Sequence, residues 1–283
     1  MGDRRVNARA LIVTADDFGA ARAVNEAVER AHREGILTAA SLMVAGEAAA
    51  DAVARARAMP RLGVGLHLVL VEGRPVLPPR QLPALVGPDG RFRTDMTRLA
   101  FRIFADPAAR RQLAAEVDAQ FTAFAATGLP LDHVNAHKHF HLHPTIAATV
   151  LRIGPRYGMR AVRAPLERGT PGIERWWAAR LQRRLRRAGL LVPDQVVGLA
   201  WTGAFTPERM RAALGSLPPG LTEIYTHPAT GPYPGSAPGY RYAEELAALL
   251  DRLAAANVTA QGIGHGNFRD FLGAAHPAAA PPS

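Results

Sequence analysis

Short, continuously apolar runs recur along the chain, and between them lie segments in which apolar residues return every three or four positions. The first run, residues 10–15 (ALIVTA), has no polar face, as expected of a parallel strand buried on both sides. It leads through Asp16-Asp17-Phe18-Gly19 into a helical segment, residues 21–34, with Val24, Ala27, Val28 and Ala31 on one face and Gly35 where a left-handed terminal residue belongs. Further strand-like runs fall at 39–44, 63–69, 131–136, 160–164, 196–201, 222–226 and 258–263. Helical patterns separate them, among them residues 107–126 and a segment opened by Pro144 and closed by Gly158. Thr206-Pro207-Glu208 reads as a helix start, a capping hydroxyl followed by proline in the first turn. Up to eight strands alternating with helices is the pattern of an α/β chain folded as a distorted (β/α) barrel.

The alternation breaks once. Residues 72–93 crowd proline and glycine directly after the third strand, too many for an ordinary connection. They read as an insertion of about 72–106, forming a lid, within a single domain spanning 1–272. The alanine- and proline-rich tail, 273–283, has the composition of a disordered segment.

Composition narrows the chemistry. The 283 residues carry a formal charge of +10, almost all of the cationic excess being arginine, with Lys138 the only lysine. Such a surface favours anionic partners. No groove-reading helix or aromatic-basic platform accompanies it, so no nucleic-acid partner is expected. Cysteine is absent, which excludes disulfides, thiolate metal sites and a cysteine nucleophile and leaves His, Asp and Glu as metal ligands. With neither a signal-type apolar segment nor a spanning run, a cytoplasmic location is expected.

Half of the ten histidines lie in residues 133–144, HVNAHKHFHLHP. His133, His137, His139, His141 and His143 all occupy odd positions, so an extended chain would turn every imidazole to one face. Asp16, Asp17, His67, His137, Arg163 and His227 fall at or near the carboxyl ends of expected strands, where barrel enzymes gather their catalytic groups. Asp17, His67 and His137 form a two-histidine, one-carboxylate set able to hold a divalent metal for hydrolysis. Asp16 is the candidate base, provided the chain leaves the extended conformation so that neighbouring carboxylates reach one pocket. His139, His141 and His143 read as substrate contacts, supporting groups or a solvated loop. His265, in GIGHGNF, follows the last expected strand and is a further candidate substrate contact.

LIVTADDFG at residues 11–19, GLHLVL around His67, HVNAHKHFHLHP, and EIYTHP near His227 together resemble the YdjC-like carbohydrate deacetylases. The resemblance covers nearly the whole chain. It implies a distorted (β/α) barrel, one divalent metal held by Asp17, His67 and His137, Asp16 as base, and hydrolysis of an N-acetyl group on an amino sugar. NAHKHFHLHP, WTGAFTPERM and EIYTHPA are similar to the subgroup associated with hopanoid biosynthesis, implying an N-acetylglucosaminyl hopanoid as substrate. Many relatives have Asp-Ser before the metal histidine, where this chain has Asn135-Ala136. On this reading His227 protonates the departing amine nitrogen, and Arg163 orients Asp16, holds the sugar or forms a structural ion pair. Zinc and magnesium lead the candidate metals; manganese, cobalt and nickel also suit the ligands.

Residues 171–189 carry a different signal. Ile173, Trp177, Leu181 and Leu185 recur every four residues, with Arg175, Arg180, Arg183, Arg184, Arg186 and Arg187 between them. Packing on the barrel is one reading and peripheral contact with anionic lipid the other. A chitin-oligosaccharide deacetylase, a non-haem iron oxygenase and a basic nucleic-acid-binding protein are the alternatives, and the sequence leaves room for a homodimer.

Overall fold

The computed structural model describes residues 9–167, 169 and 172–273. Residues 274–283, nearly all of the expected tail, and residue 171 of the amphipathic segment lie outside the described residues. The chain runs β1 (Arg9–Phe18), α1 (Arg22–Glu34), β2 (Ala39–Leu42), α2 (Ala49–Arg57), β3 (Gly63–Leu68), α3 (Met96–Ala105), α4 (Pro107–Ala126), β4 (Val134–Ala136), α5 (Pro144–Ile153), α6 (Ile173–Arg187), β5 (Gln195–Val197), α7 (Pro207–Gly215), β6 (Gly220–Thr226), α8 (Tyr242–Leu249), α9 (Arg252–Ala260) and β7 (Gly264–His265).

Every strand pair is parallel, in the order β4-β3-β2-β1-β6-β5, with the short β7 beside the start of β1. β1 is central, which is why Leu11, Ile12, Val13 and Ala15 are all fully buried. Residues 160–166 bridge the two edges of this path. Val162 pairs with Val134, Ala161 with Leu191, and the Val196 N–H donates to the Leu166 carbonyl at 2.8 Å. The sheet thus curls into a distorted (β/α) barrel.

Three expected strands differ: of residues 196–201 only Val196 and Val197 stay in a strand, the chain turning away at Gly198 with a φ of 123°. Residues 160–164 contribute only isolated bridges, cut short where Pro165 has no N–H to give a ladder. Residues 258–263 begin inside α9, whose Ala254 and Val258 form a buried stripe at helical spacing, and pairing with β1 starts only at Gly264. Asp251 caps that helix by accepting from the Leu253 N–H.

The insertion is tied down at its base. Buried Glu116 of α4 accepts the N–H groups of Val76 (2.8 Å) and Leu77 (3.0 Å), and Leu82, Leu85, Val86 and Phe92 are buried beneath an antiparallel bridge between Val86 and Phe92. Burial pushes the Glu116 carboxyl up despite these bonds.

Gly35 is not left-handed, as its place after α1 suggested; its φ is −130°. Glycine is needed there because a Cβ would stand 2.1 Å from the Leu249 carbonyl oxygen. Gly35→Ala should therefore destabilise the fold by about 1–3 kcal/mol, measured by urea unfolding.

Candidate metal centre

The site begins with a slip in β1. Its register against β2 shifts between Ala15 and Phe18, and Asp17 adopts a left-handed φ of 62°. An unbroken strand would point Asp16 and Asp17 to opposite faces. The slip delivers both to the carboxyl end of the barrel. Four non-glycine residues with positive φ occur among the described residues, Asp17, Glu72, Lys138 and His139, and all of them border this end. Backbone strain concentrated in this way is characteristic of functional sites.

Asp17, His67 and His137 converge there. Asp17 Oδ1 lies 3.3 Å from His67 Nε2 and 3.2 Å from His137 Nδ1, and these two nitrogens are 3.5 Å apart. The three ligand atoms fall within 4.8 Å of one another, close enough to share one ion. Asn135, the cross-strand neighbour of His67, accepts from His67 Nδ1 at 2.7 Å, which leaves Nε2 as the free ligand atom. Burial acts to raise the Asp17 carboxyl, but the two histidines outweigh it and hold it well below the usual carboxylate range. Burial acts to lower His67, and the Asp17 bond with the Asp16 and Asp17 charges reverses the shift.

Asp16 lies behind this cluster. Its Oδ1 accepts from Ser41 (3.0 Å), Asn135 Nδ2 (3.0 Å) and Arg163 Nη2 (3.0 Å), while Oδ2 accepts from Arg163 Nη1 (2.6 Å). Burial would raise its pKa, yet Arg163, with help from His67 and His227, drives it far below the ordinary value. Arg163 is itself fully buried and also donates to Glu223 Oε1 from Nε (3.0 Å) and Nη2 (2.7 Å). Of its expected roles, holding the sugar does not fit this enclosure, whereas orienting Asp16 does.

The histidine stretch does not stay extended. β4 ends at Ala136, and residues His137–Leu142 turn into a 3-10 helix with Lys138 and His139 left-handed, so the odd-numbered rings part company. His133 points into the barrel core, bonded to Asp132 and Ser41. His139 Nε2 lies 3.3 Å from the Tyr225 hydroxyl, against the wall of the site. His141 donates from Nε2 to the Arg163 carbonyl at 2.7 Å, and His143 sits at the start of α5, directly before Pro144. His227 follows β6 directly; its N–H donates to buried Glu245, and its ring lies 5.5 Å from both Tyr225 and Tyr240. His265 is not brought here. It pairs opposite Leu11 near the start of β1 and bonds the Ile36 carbonyl, at the far end of the barrel from Asp16, so the expected substrate contact does not fit its position.

A cleft of about 270 Å³ opens beside Asp17 and His137, lined also by Met43, Glu47, Glu72, Arg74, Arg91 and Tyr233. The insertion therefore supplies one rim of the cleft, joined to the loop after His137 by the Glu72–Lys138 ion pair. Ser41, Glu223, Tyr225 and Tyr233 were not foreseen. Glu223 had a signal, a carboxylate inside an otherwise apolar strand; Ser41 had none.

A parallel barrel with two histidines and a carboxylate converging at the carboxyl ends of its strands belongs to the class of (β/α)-barrel proteins with a possible metal site at that end. More narrowly, the chain belongs to the YdjC-like protein family, whose model matches residues 10–259. It is similar to a carbohydrate deacetylase of Geobacillus stearothermophilus, 31% identical over 93% of this chain and 98% of the relative. A carbohydrate deacetylase of Brevibacillus brevis is 43% identical over 56% of this chain and 61% of the relative. Among solved structures, an Enterococcus faecalis V583 protein whose name proposes cellobiose-phosphate cleavage superposes with a TM-score of 0.77 at 24% identity, covering 93% of this chain and 99% of the other; it supports the fold.

The supporting histidines make an acid-stability prediction. Burial pushes His141 down to about 4, its Arg163 bond opposing only in part, and it is 3% exposed. Below the unfolded value of about 6.5 the unfolded chain binds a proton that the folded chain refuses, so stability falls as pH drops from about 6.5 towards 4. Urea unfolding at pH 7 and pH 4.5 should show a loss on the order of 2 kcal/mol that is smaller in His141→Asn.

Proposed function

We propose that this chain is a metal-dependent carbohydrate N-deacetylase that removes acetyl from an N-acetylglucosamine-type amino sugar. The observation that carries the proposal is the meeting of Asp17, His67 and His137 directly in front of a second, separately held carboxylate, Asp16. The donor set fits a divalent ion: one anionic oxygen, two imidazole nitrogens, and an Asn135 bond that orients one of them. Asp17, His67 and His137 would hold one ion, zinc or magnesium, which when bound supplies carbonyl polarisation and a more acidic water.

The rest of the chemistry falls to side chains. Asp16 takes the proton of the attacking water, and the shared Arg163 keeps it charged for that task. His227 returns a proton to the departing nitrogen: it follows β6 at the same end of the barrel as Asp16, and its buried Nδ1 has no partner among the described residues. His139 and Tyr233, at the wall and rim, meet the sugar. The relatives named carbohydrate deacetylases favour this reaction over an oxygenase or nucleic-acid-binding role. Metal-loaded protein should release equal acetate and free amine from N-acetylglucosaminyl hopanoid, more slowly from chitin oligosaccharides, and lose activity to a chelator. No acetate from either substrate, or turnover that requires dioxygen, removes the reading. His227→Ala should lower kcat by about 10²–10⁴-fold, and near wild-type turnover would withdraw its role as acid.

A glycolipid is the preferred substrate because two arginine-bearing helices also expose apolar side chains. Ile173 (72%) and Trp176 (51%) of α6 and Phe101 (71%) and Phe104 (65%) of α3 face solvent, while Leu181 and Leu185 pack on the barrel. α6 reaches the end of the histidine stretch, where Arg184 lies 3.5 Å from the Pro144 carbonyl. No helix of the described residues is long and apolar enough to cross a membrane. The protein, in a cytoplasmic setting, would meet the bilayer from the side. It should sediment with anionic vesicles at low salt and not with zwitterionic ones; equal sedimentation with both, or none, counts against membrane contact.

A further inference from the structure

From Asp16 a line of hydrogen bonds leaves the site and crosses the barrel interior. Ser41 Oγ, 3.0 Å from Asp16 Oδ1, is also 3.0 Å from His133 Nε2, and His133 Nδ1 is 2.9 Å from Asp132 Oδ2. Asp132 in turn accepts the N–H groups of Phe268 (3.4 Å) and Arg269 (3.0 Å). Asp16, Ser41, His133 and Asp132 are all buried. The His133 ring is clamped on both sides: it stacks on Phe268 with centroids 4.3 Å apart, and at Gly65 a Cβ would stand 2.5 Å from the ring. So tight an enclosure holds the imidazole in one orientation.

Hydrogen-bond capacity links the two ends of the line. A serine hydroxyl has one proton to give. Ser41 already accepts from Asn135 Nδ2 at 2.8 Å, so it donates to Asp16 only when both ring nitrogens of His133 act as donors, Nε2–H to Ser41 and Nδ1–H to Asp132. The consequence at Asp16 is asymmetric. Oδ1 receives three donors, from β2, β4 and Arg163, whereas Oδ2 receives only Arg163 Nη1. The oxygen with spare capacity to take a proton is Oδ2.

We propose that Ser41 and His133 are positioning residues that saturate Asp16 Oδ1 and leave Oδ2 as the basic oxygen, with Asp132 anchoring the line to Phe268 and Arg269. Phe268 and Arg269, to which Asp132 is tied, lie beyond residues 10–259, the part matched to the family model. The proposal rests on Asp16 being the base. Without Ser41 and Asn135 on Oδ1, nothing opposes the pull of Arg163 and the carboxylate can rock in its grip. A displacement of about 1 Å can cost on the order of 100-fold in rate.

The test compares Ser41→Ala, Ser41→Thr, His133→Gln and the Ser41→Ala/His133→Gln double variant. Ser41→Ala should lower kcat about 10–100-fold, with KM and bound-metal stoichiometry unchanged and most of the rate restored in Ser41→Thr. The double variant should be no slower than the slower single, as members of one path behave. Wild-type kcat in Ser41→Ala, loss of metal from it, or independent losses in the double variant would each overturn the proposal. A crystal structure of Ser41→Ala, or of His133→Gln should the first not fold, supplies a readout that needs no substrate. Rotation of the Asp16 carboxylate supports the proposal and an unmoved carboxylate defeats it. An inactive wild type with a rotated carboxylate in the variant would remove the deacetylase reading and leave the positioning role standing.

Discussion

A fully buried guanidinium holds the carboxyl end of this barrel together. Arg163 comes from the irregular segment 160–166 and meets Asp16 of β1 and Glu223 of β6, while its face lies over the Tyr225 ring at 4.8 Å. One cation among two carboxylates is tolerable away from water only when the donors are used, and Arg163 engages Nε, Nη1 and Nη2. Its backbone is committed as well, donating to Val134 and accepting from His141. Removing one member would leave an unpaired charge in the core. The same residue that completes the sheet edge therefore fixes Asp16 in place.

Around that centre, side chains from separate strands form a polar layer inside an otherwise apolar barrel. Thr14 donates to Glu223 at 2.8 Å, Ser41 and Asn135 bond each other and Asp16, and Asn135 turns back to His67. Such a network specifies one arrangement because each partner is needed by the next. It also explains why glycine recurs next to it. Gly65 leaves space for the His133 ring, and Gly198, with φ of 123°, lets the end of β5 pass the Tyr225 carbonyl, where a Cβ would stand 2.7 Å from the oxygen.

The repeating part of this design was legible in the sequence, and the exceptional part only partly so. Runs buried on both faces, with Pro144 and Thr206-Pro207 at helix starts, mark most elements because propensity and burial agree there. The meeting of Asp17, His67 and His137 follows from strand ends sharing one face of a barrel. What periodicity cannot convey is departure from periodicity. The left-handed residues after His137 scatter the histidine rings, and a pattern read at period two treats them as one face. Ser41 is a small residue in a short buried strand, and its partners come from other strands, so no local feature marks it. Residues 258–263 failed because an apolar stripe at helical spacing and a short strand look alike over so few positions.

The pair Asp16-Asp17 is the most economical feature of the molecule and carries a cost. Two adjacent carboxylates turned into one pocket repel each other, and in a shared environment one of them would take up a proton. Here the slip in β1 separates their surroundings. Asp17 stands nearer the opening, at 13% side-chain exposure, with two imidazoles, while Asp16 stands behind it at 3% with a guanidinium. Each acid thus has its own positive or ligand-type partners, and both are driven below the ordinary carboxylate range despite burial. Exchanging the partners would not serve equally well. Arginine cannot give up its proton, so it keeps the Asp16 carboxylate charged; the imidazoles can, so they remain available to a cation. Neighbours in sequence are made chemically unlike by one residue of backbone in the left-handed region.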